Sequence, residues 1–145
     1  MRNKNTFRAI RERVGITQAT LARTMGVSQR SVRYWEDASS PRKAPEEAWS
    51  IIEDALRRQQ HGIAFAMTKV DQLLEMLDDD EPAIVSLPYW LSEDEYLRES
   101  TDASLGVASD WRMANANNLA LAIRLEERGV MVEWASGNPA TPDVS

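Results

Sequence analysis

Cysteine is absent from this chain of 145 residues, which excludes disulfides, thiolate nucleophiles and any zinc site that needs sulfur. Histidine is nearly absent: His61 stands alone, with no metal-ligand spacing around it, and reads as a solvated residue near a helix end. Long apolar runs are missing as well. No stretch of roughly 18 apolar residues marks a membrane helix, and no basic n-region with an apolar h-region opens the chain. The expectation is a soluble, unexported protein of the cytoplasm with no membrane contact. Serine and aspartate are present, but no nucleophile elbow or oxyanion loop accompanies them. The acidic run Asp78-Asp79-Asp80-Glu81 lacks a glycine-punctuated calcium-loop pattern and reads as an exposed linker. An enzyme is therefore not expected, and neither is a cofactor or a metal.

What the chain does have is ordinary globular material, 43% apolar and 28% charged, enough for one domain or two small ones. Its net charge of −6 is unevenly placed. Residues 1–43 hold ten Lys/Arg against three Asp/Glu, a balance of +7, while residues 44–145 hold seven against twenty, a balance of −13. A basic end can neutralise phosphates and an acidic end is repelled by them. The acidic total therefore does not count against a nucleic-acid partner touched by one end only.

Met1 to Asn5 reads as a loose start. Phe7, Ile10 and Val14 share a helical face over Thr6 to Val14, and Gly15 stops that helix. Two short helices are expected over roughly 17–25 and 28–36, with Leu21, Met25, Val27, Val32 and Trp35 forming one core where they cross. Ala22 is small at the closest approach, Gly26 accommodates φ > 0 at the turn, and Ser28 caps the second helix. That helix points Gln29, Arg30, Ser31, Arg33 and Tyr34 outward. A row of exposed donors on a short helix is what major-groove readout requires, so residues 7–43 read as a helix-turn-helix unit for DNA. A purely structural helical hairpin is the blander alternative.

Asp37 to Pro41 forms a turn cluster. Pro45 with Glu46 and Glu47 opens a helix carrying Ala48, Trp49, Ile52, Ala55 and Leu56, which His61-Gly62 is expected to kink or end. Ile63, Met67, Val70, Leu74 and Leu77 continue as a narrow apolar seam, too short for a free-standing coiled coil and suited to docking on its own domain or a second subunit. Beyond Pro82, Ala83 to Leu87 reads as a strand, and Ser92 with Glu95 as a capping box opening a helix to about Glu99. After a polar loop, a helix runs from about Asp110 to Arg128 with Trp111, Ala114, Leu121 and Leu125 on one face. Gly129 stops it, and Val130 to Trp134 forms a second strand. Trp90, Trp111 and Trp134 read as core or interface rather than as base-stacking groups.

The predicted fold is mainly α. An N-terminal helix-turn-helix bundle over residues 1–62 precedes a small α+β dimerisation domain with short strands over 63–136, and the tail 137–145 is expected to be disordered. The expected dimer interface is Met67, Val70, Leu74, Leu77, Trp111, Leu121 and Leu125.

The strings Gly15-Ile16-Thr17-Gln18-Ala19, Leu21-Ala22, Met25-Gly26-Val27-Ser28-Gln29 and Val32-Arg33-Tyr34-Trp35-Glu36 resemble the lambda-repressor-like helix-turn-helix family, the Xre/Cro type. The resemblance implies that Gln18 contacts phosphate, that Gln29, Arg30, Arg33 and Tyr34 read bases, and that Arg42 and Lys43 grip the backbone. Ser28 and Ser31 join the backbone set. It also implies a structural pair between Arg11 and Glu36. The chain departs from the family's usual Asn-Gly after that glutamate, having Asp37-Ala38. In the second half, Glu93-Asp94-Glu95-Tyr96-Leu97 and Asp110-Trp111-Arg112 with Leu119-Ala120 resemble anti-CRISPR-associated repressors and related small phage and bacterial regulators. That likeness implies a homodimer repressing its own operon through an inverted repeat in double-stranded DNA. Two other readings fit the sequence: an antitoxin whose acidic half covers a basic partner protein, and an autoregulator that binds structured RNA.

Overall fold

The computed structural model describes residues 1–100 and 110–135. The polar loop expected before Asp110 and the tail from Gly137 lie outside these residues. Along the chain run α1 (Lys4–Val14), α2 (Gln18–Met25), α3 (Gln29–Glu36), α4 (Glu46–Met76), β1 (Ile84–Pro88), α5 (Glu93–Glu99), α6 (Trp111–Glu127) and β2 (Met131–Ala135). The fold is mostly helical with one small sheet, as the composition and periodicity predict. The chain divides into two compact units between Gln60 and His61, inside α4.

In the first unit, each of the three opening helices starts on a side-chain cap. Asn3 Oδ1 accepts from Thr6 N at 2.7 Å, Thr17 Oγ1 from Thr20 N at 3.0 Å, and Ser28 Oγ from Ser31 N at 3.2 Å. Each contact satisfies an amide that the first helical turn leaves unpaired. Gly26 ends α2 at φ +68°, and Val27 N then donates to Ala22 O at 3.0 Å. A β-carbon there would meet nothing within 4 Å, so what favours glycine is the left-handed backbone alone.

Phe7, Leu21, Val32 and Ile52 are fully buried, with Trp35 and Trp49 nearly so. The Phe7 ring meets Trp35 edge-on at 6.3 Å and Trp49 at 5.1 Å, so α1, α3 and the start of α4 share one aromatic centre. Two expectations fail here. Val27 is 37% exposed rather than core, because it follows the left-handed glycine and its backbone closes the turn. Met25 is only half-buried. The start of the chain is not loose either: Lys4 already belongs to α1, and Arg2 bonds Glu46 and Glu53 while lying 5.2 Å from the Trp49 ring centre.

α4 is continuous through His61 and Gly62. A lone interior glycine costs a helix about 1 kcal/mol and does not break it when the neighbours are good formers. His61 is exposed, as expected, but lies mid-helix.

The second unit is built on β1 and β2, which pair in parallel from Ile84↔Met131 to Pro88↔Ala135. Parallel partners need a long crossover, and the residues between them include α5 and α6. Val85, Leu87 and Val132 pack with Ala122 and Leu125 of α6, Val130, and Ile63 and Met67 of α4. A second cluster joins Trp90, Tyr96 and Ala114, with Trp111 against it. Asn115, buried on α6, accepts from Trp90 N and donates to Trp90 O, both at 2.8 Å. Asn118 donates to Pro88 O at 3.0 Å. These two amides fasten α6 to the end of β1 as a further strand would.

Candidate nucleic-acid interface

The candidate surface is α3 and the loop after it. Val32 and Trp35 are buried and fix the helix from beneath. Gln29, Arg30 and Arg33 are exposed, while Ser31 and Tyr34 are half-buried. The Ser28 and Ser31 hydroxyls lie 3.1 Å apart, with Ser28 acting as the helix cap.

Two guanidinium groups approach the Tyr34 ring. Arg30 Nε donates to the Tyr34 hydroxyl at 2.9 Å, and its guanidinium carbon lies 5.6 Å from the ring centre. The Arg42 guanidinium carbon lies 4.9 Å from the same ring. Cations held on a ring in this way lose rotamer freedom before any ligand arrives. Arg30, Arg33, Arg42 and Lys43 make no carboxylate pair among the described residues, so their charges face outward uncompensated.

Beneath this surface sits a buried hub. Arg11 Nε and Nη2 donate to the two oxygens of Glu36, the second bond at 2.7 Å, and Arg11 Nη1 donates to Ile16 O at 3.0 Å. The Arg11 and Glu36 side chains are only 8% and 3% exposed. Gln18 Nε2 donates to Glu36 Oε1 at 3.0 Å. One carboxylate therefore ties α1, α2 and α3 together, and the pair implied by the family resemblance is present. The Gln18 amide assigned to phosphate is thus also engaged inside the domain, on its glutamate.

The post-helix loop has its own supports. Asp37 Oδ1 accepts from Ser39 N at 2.9 Å and Ser39 Oγ at 2.8 Å, and these hydrogen bonds hold its carboxyl below the ordinary range. Among the described residues no non-glycine has positive φ, so Ala38 stands without backbone strain. Lys4 Nζ donates to Tyr34 O at 2.8 Å, Trp35 O at 3.3 Å and Arg42 O. A cation here completes the C-terminus of α3 and pins the backbone that carries Arg42. Sequence reading missed Lys4, because its partners lie 30 to 38 residues away and no local pattern announces them.

Residues 7–59 match the family model described as Helix-turn-helix. This segment is a helix-turn-helix domain of the lambda-repressor-like kind. The matched span lies within the first compact unit, Met1–Gln60. The helix-turn-helix domain is that of a DNA-binding transcription regulator, and its unit carries twelve Lys/Arg against seven Asp/Glu, whereas residues 61–145 carry five against sixteen. No curated protein matches the chain. Among the described residues no helix is long and apolar enough to cross a membrane, and no cluster of His, Asp or Glu could hold a metal ion.

The expected dimer residues are distributed differently from the sequence reading. Met67 (3% exposed) and Leu125 (0%) belong to the second unit's own core, with Val70, Leu74 and Leu121 packed against it. Trp111 packs on the Trp90–Tyr96 cluster. Of the set, Leu77 is exposed, at 36%. A seam at spacings of three and four cannot say whether its partner is the chain itself or another copy, and here the chain itself covers most of it.

Proposed function

We propose that the protein is a homodimeric transcriptional repressor that sets one α3 in each of two major-groove half-sites of an inverted repeat. The observation that carries this reading is the outward row Gln29, Arg30 and Arg33 on a helix anchored by Val32 and Trp35. Gln29 pairs with adenine, and Arg30 and Arg33 pair with guanine. Arg42, Lys43, Gln18 and the Ser28 and Ser31 hydroxyls meet phosphates and set the register without reading sequence. Tyr34, assigned to base reading from the sequence, acts through the two guanidiniums it holds. A single short module makes few base contacts, and a second one about 34 Å away doubles them. Residues from His61 onward serve assembly, their acidity keeping that part off the duplex. Autoregulation of its own operon follows from the likeness of the second half to anti-CRISPR-associated repressors.

Selection of bound sites from random duplex DNA at fixed salt tests the proposal, because it reports sequence preference, palindromy and half-site spacing together. An asymmetric site bound by one protomer would overturn it. Duplex DNA that fails to compete with structured RNA would move the assignment to an RNA-binding regulator. A small basic protein that must co-purify for operator binding would move it to an antitoxin.

A further inference from the structure

We propose that the outward face of α6 pairs antiparallel with the same face of a second copy; the inference rests on the dimer reading above and supplies its interface. Ala122 and Leu125 turn α6 toward the sheet and are buried. A face flanking that buried side carries exposed Arg112, Leu119, Ile123 and Glu126 and half-buried Ala116, at helical spacings of four and three. Leu119 is 46% exposed and Ile123 61%. Such spacing places these side chains in one stripe, and an apolar stripe between polar ends suits a helix partner.

The ends of the stripe identify that partner. Arg112 and Glu126 stand the same distance before and after Leu119. In an antiparallel approach centred on Leu119, each Arg112 meets the copy's Glu126, and each Ile123 lies over the small Ala116 of the copy. Both Arg112 and Glu126 are exposed. They stand roughly 10 Å along the axis from the centre, so a shallow crossing near 20° keeps them within side-chain reach. The stripe is complementary to itself under a two-fold axis, as a symmetric dimer demands.

The competing apolar faces lack this property. On α4, Phe65 is 66% exposed and Leu73 60%, but setting Phe65 against the copy's Leu73 puts Lys69 against its own copy. On the open face of the sheet, Glu133 lies beside exposed Ile84 and Met131 and faces the same like-charge problem.

Because the sequence contains no cysteine, Leu119→Cys introduces a single thiol placed on the proposed two-fold axis. Oxidation, or a short bis-maleimide, should link that variant into a covalent dimer roughly tenfold faster than it links Leu73→Cys, as expected when only one thiol pair is held together. Arg112→Glu should weaken the dimer about tenfold by light scattering or sedimentation, and adding Glu126→Arg should restore it. Equal or faster linking through Leu73→Cys, or no recovery in the charge swap, would overturn the α6 pairing while leaving a dimer in place. Wild-type protein that is monomeric both free and on the selected duplex would overturn the dimer reading as well.

Discussion

Replacing Glu36 by Ala removes the acceptor shared by Arg11 and Gln18 and leaves a guanidinium without its carboxylate in a site only 8% exposed. Removing one partner of a buried pair costs about 3–5 kcal/mol, mostly as the penalty of the stranded charge. Arg11 keeps its bond to Ile16 O and has Glu12 within 3.9 Å, which places the expected loss near 3 kcal/mol, the lower end of that range. For a unit of 60 residues, that corresponds to a melting point lower by about 12–24 °C. Urea unfolding followed through the indole N–H signals of Trp35 and Trp49 reads this unit separately from the other tryptophans. Sites selected by the folded variant should keep the wild-type base preference, since Glu36 lies beneath the surface. The double variant Arg11→Met with Glu36→Leu should recover most of the stability, because an apolar replacement strands no charge. A loss under about 1 kcal/mol for Glu36→Ala would refute the hub, since that is the range of an exposed pair.

Arg42→Ala should weaken binding to all sequences alike and flatten the salt dependence by about one unit, whereas Arg30→Ala should cost about 1–3 kcal/mol at one base position only. Tyr34→Phe removes the hydroxyl that accepts from Arg30 but keeps the ring beneath both cations, so discrimination at the Arg30 base should fall while the salt slope stays; Tyr34→Leu should reduce both, and equal effects of the two variants would exclude the platform role. Gly62→Ala should stabilise the protein by about 0.8–1 kcal/mol in chemical denaturation, because the added methyl meets nothing within 4 Å in a helical backbone. Gly26→Ala, at φ +68°, should instead destabilise by about 1 kcal/mol or more. The Asp37 carboxyl is depressed by its bonds to Ser39, so its contribution is fully present above the ordinary aspartate value and is lost as pH falls through the lower folded value. The Ser39 amide shift, followed on acidification, should therefore titrate below the ordinary aspartate range.

The helix-turn-helix was legible because its signals are local. Thr17 and Ser28 cap the helices they precede, Gly26 turns the chain, and the buried and exposed positions alternate within eight-residue helices. Both strands and the Ser92 and Asp110 helix starts were legible for the same reason. In the Ser92 cap, Ser92 Oγ accepts from Glu95 N, and the Glu95 carboxylate accepts from Leu91 N. What escaped reading depends on distant partners. Lys4 and Arg2 look like a loose basic start until the backbone of residues 34–42 and the acids of α4 come beside them. Asn115 and Asn118 look like polar interruptions of a helix until β1 ends against them. His61-Gly62 looked like a break because glycine is a poor helix former, but one weak residue does not outweigh its neighbours. The apolar seam of α4 was read correctly as a docking face, yet periodicity alone could not name the surface it docks on.

The pairing of β1 with β2 also bears on how this chain avoids uncontrolled growth. Among the described residues each strand has one neighbour, so each keeps an outer edge whose amides and carbonyls can template another strand. Three features blunt those edges. The strands are only five residues long, Pro88 removes an amide donor at the end of β1, and Glu133 places a charge in the middle of β2. Ile84, Met131 and Trp134 give the ribbon enough exposed apolar surface for edge-to-edge stacking. A charge at Glu133 would set like charges against each other in any such stacking, which opposes fibrous association.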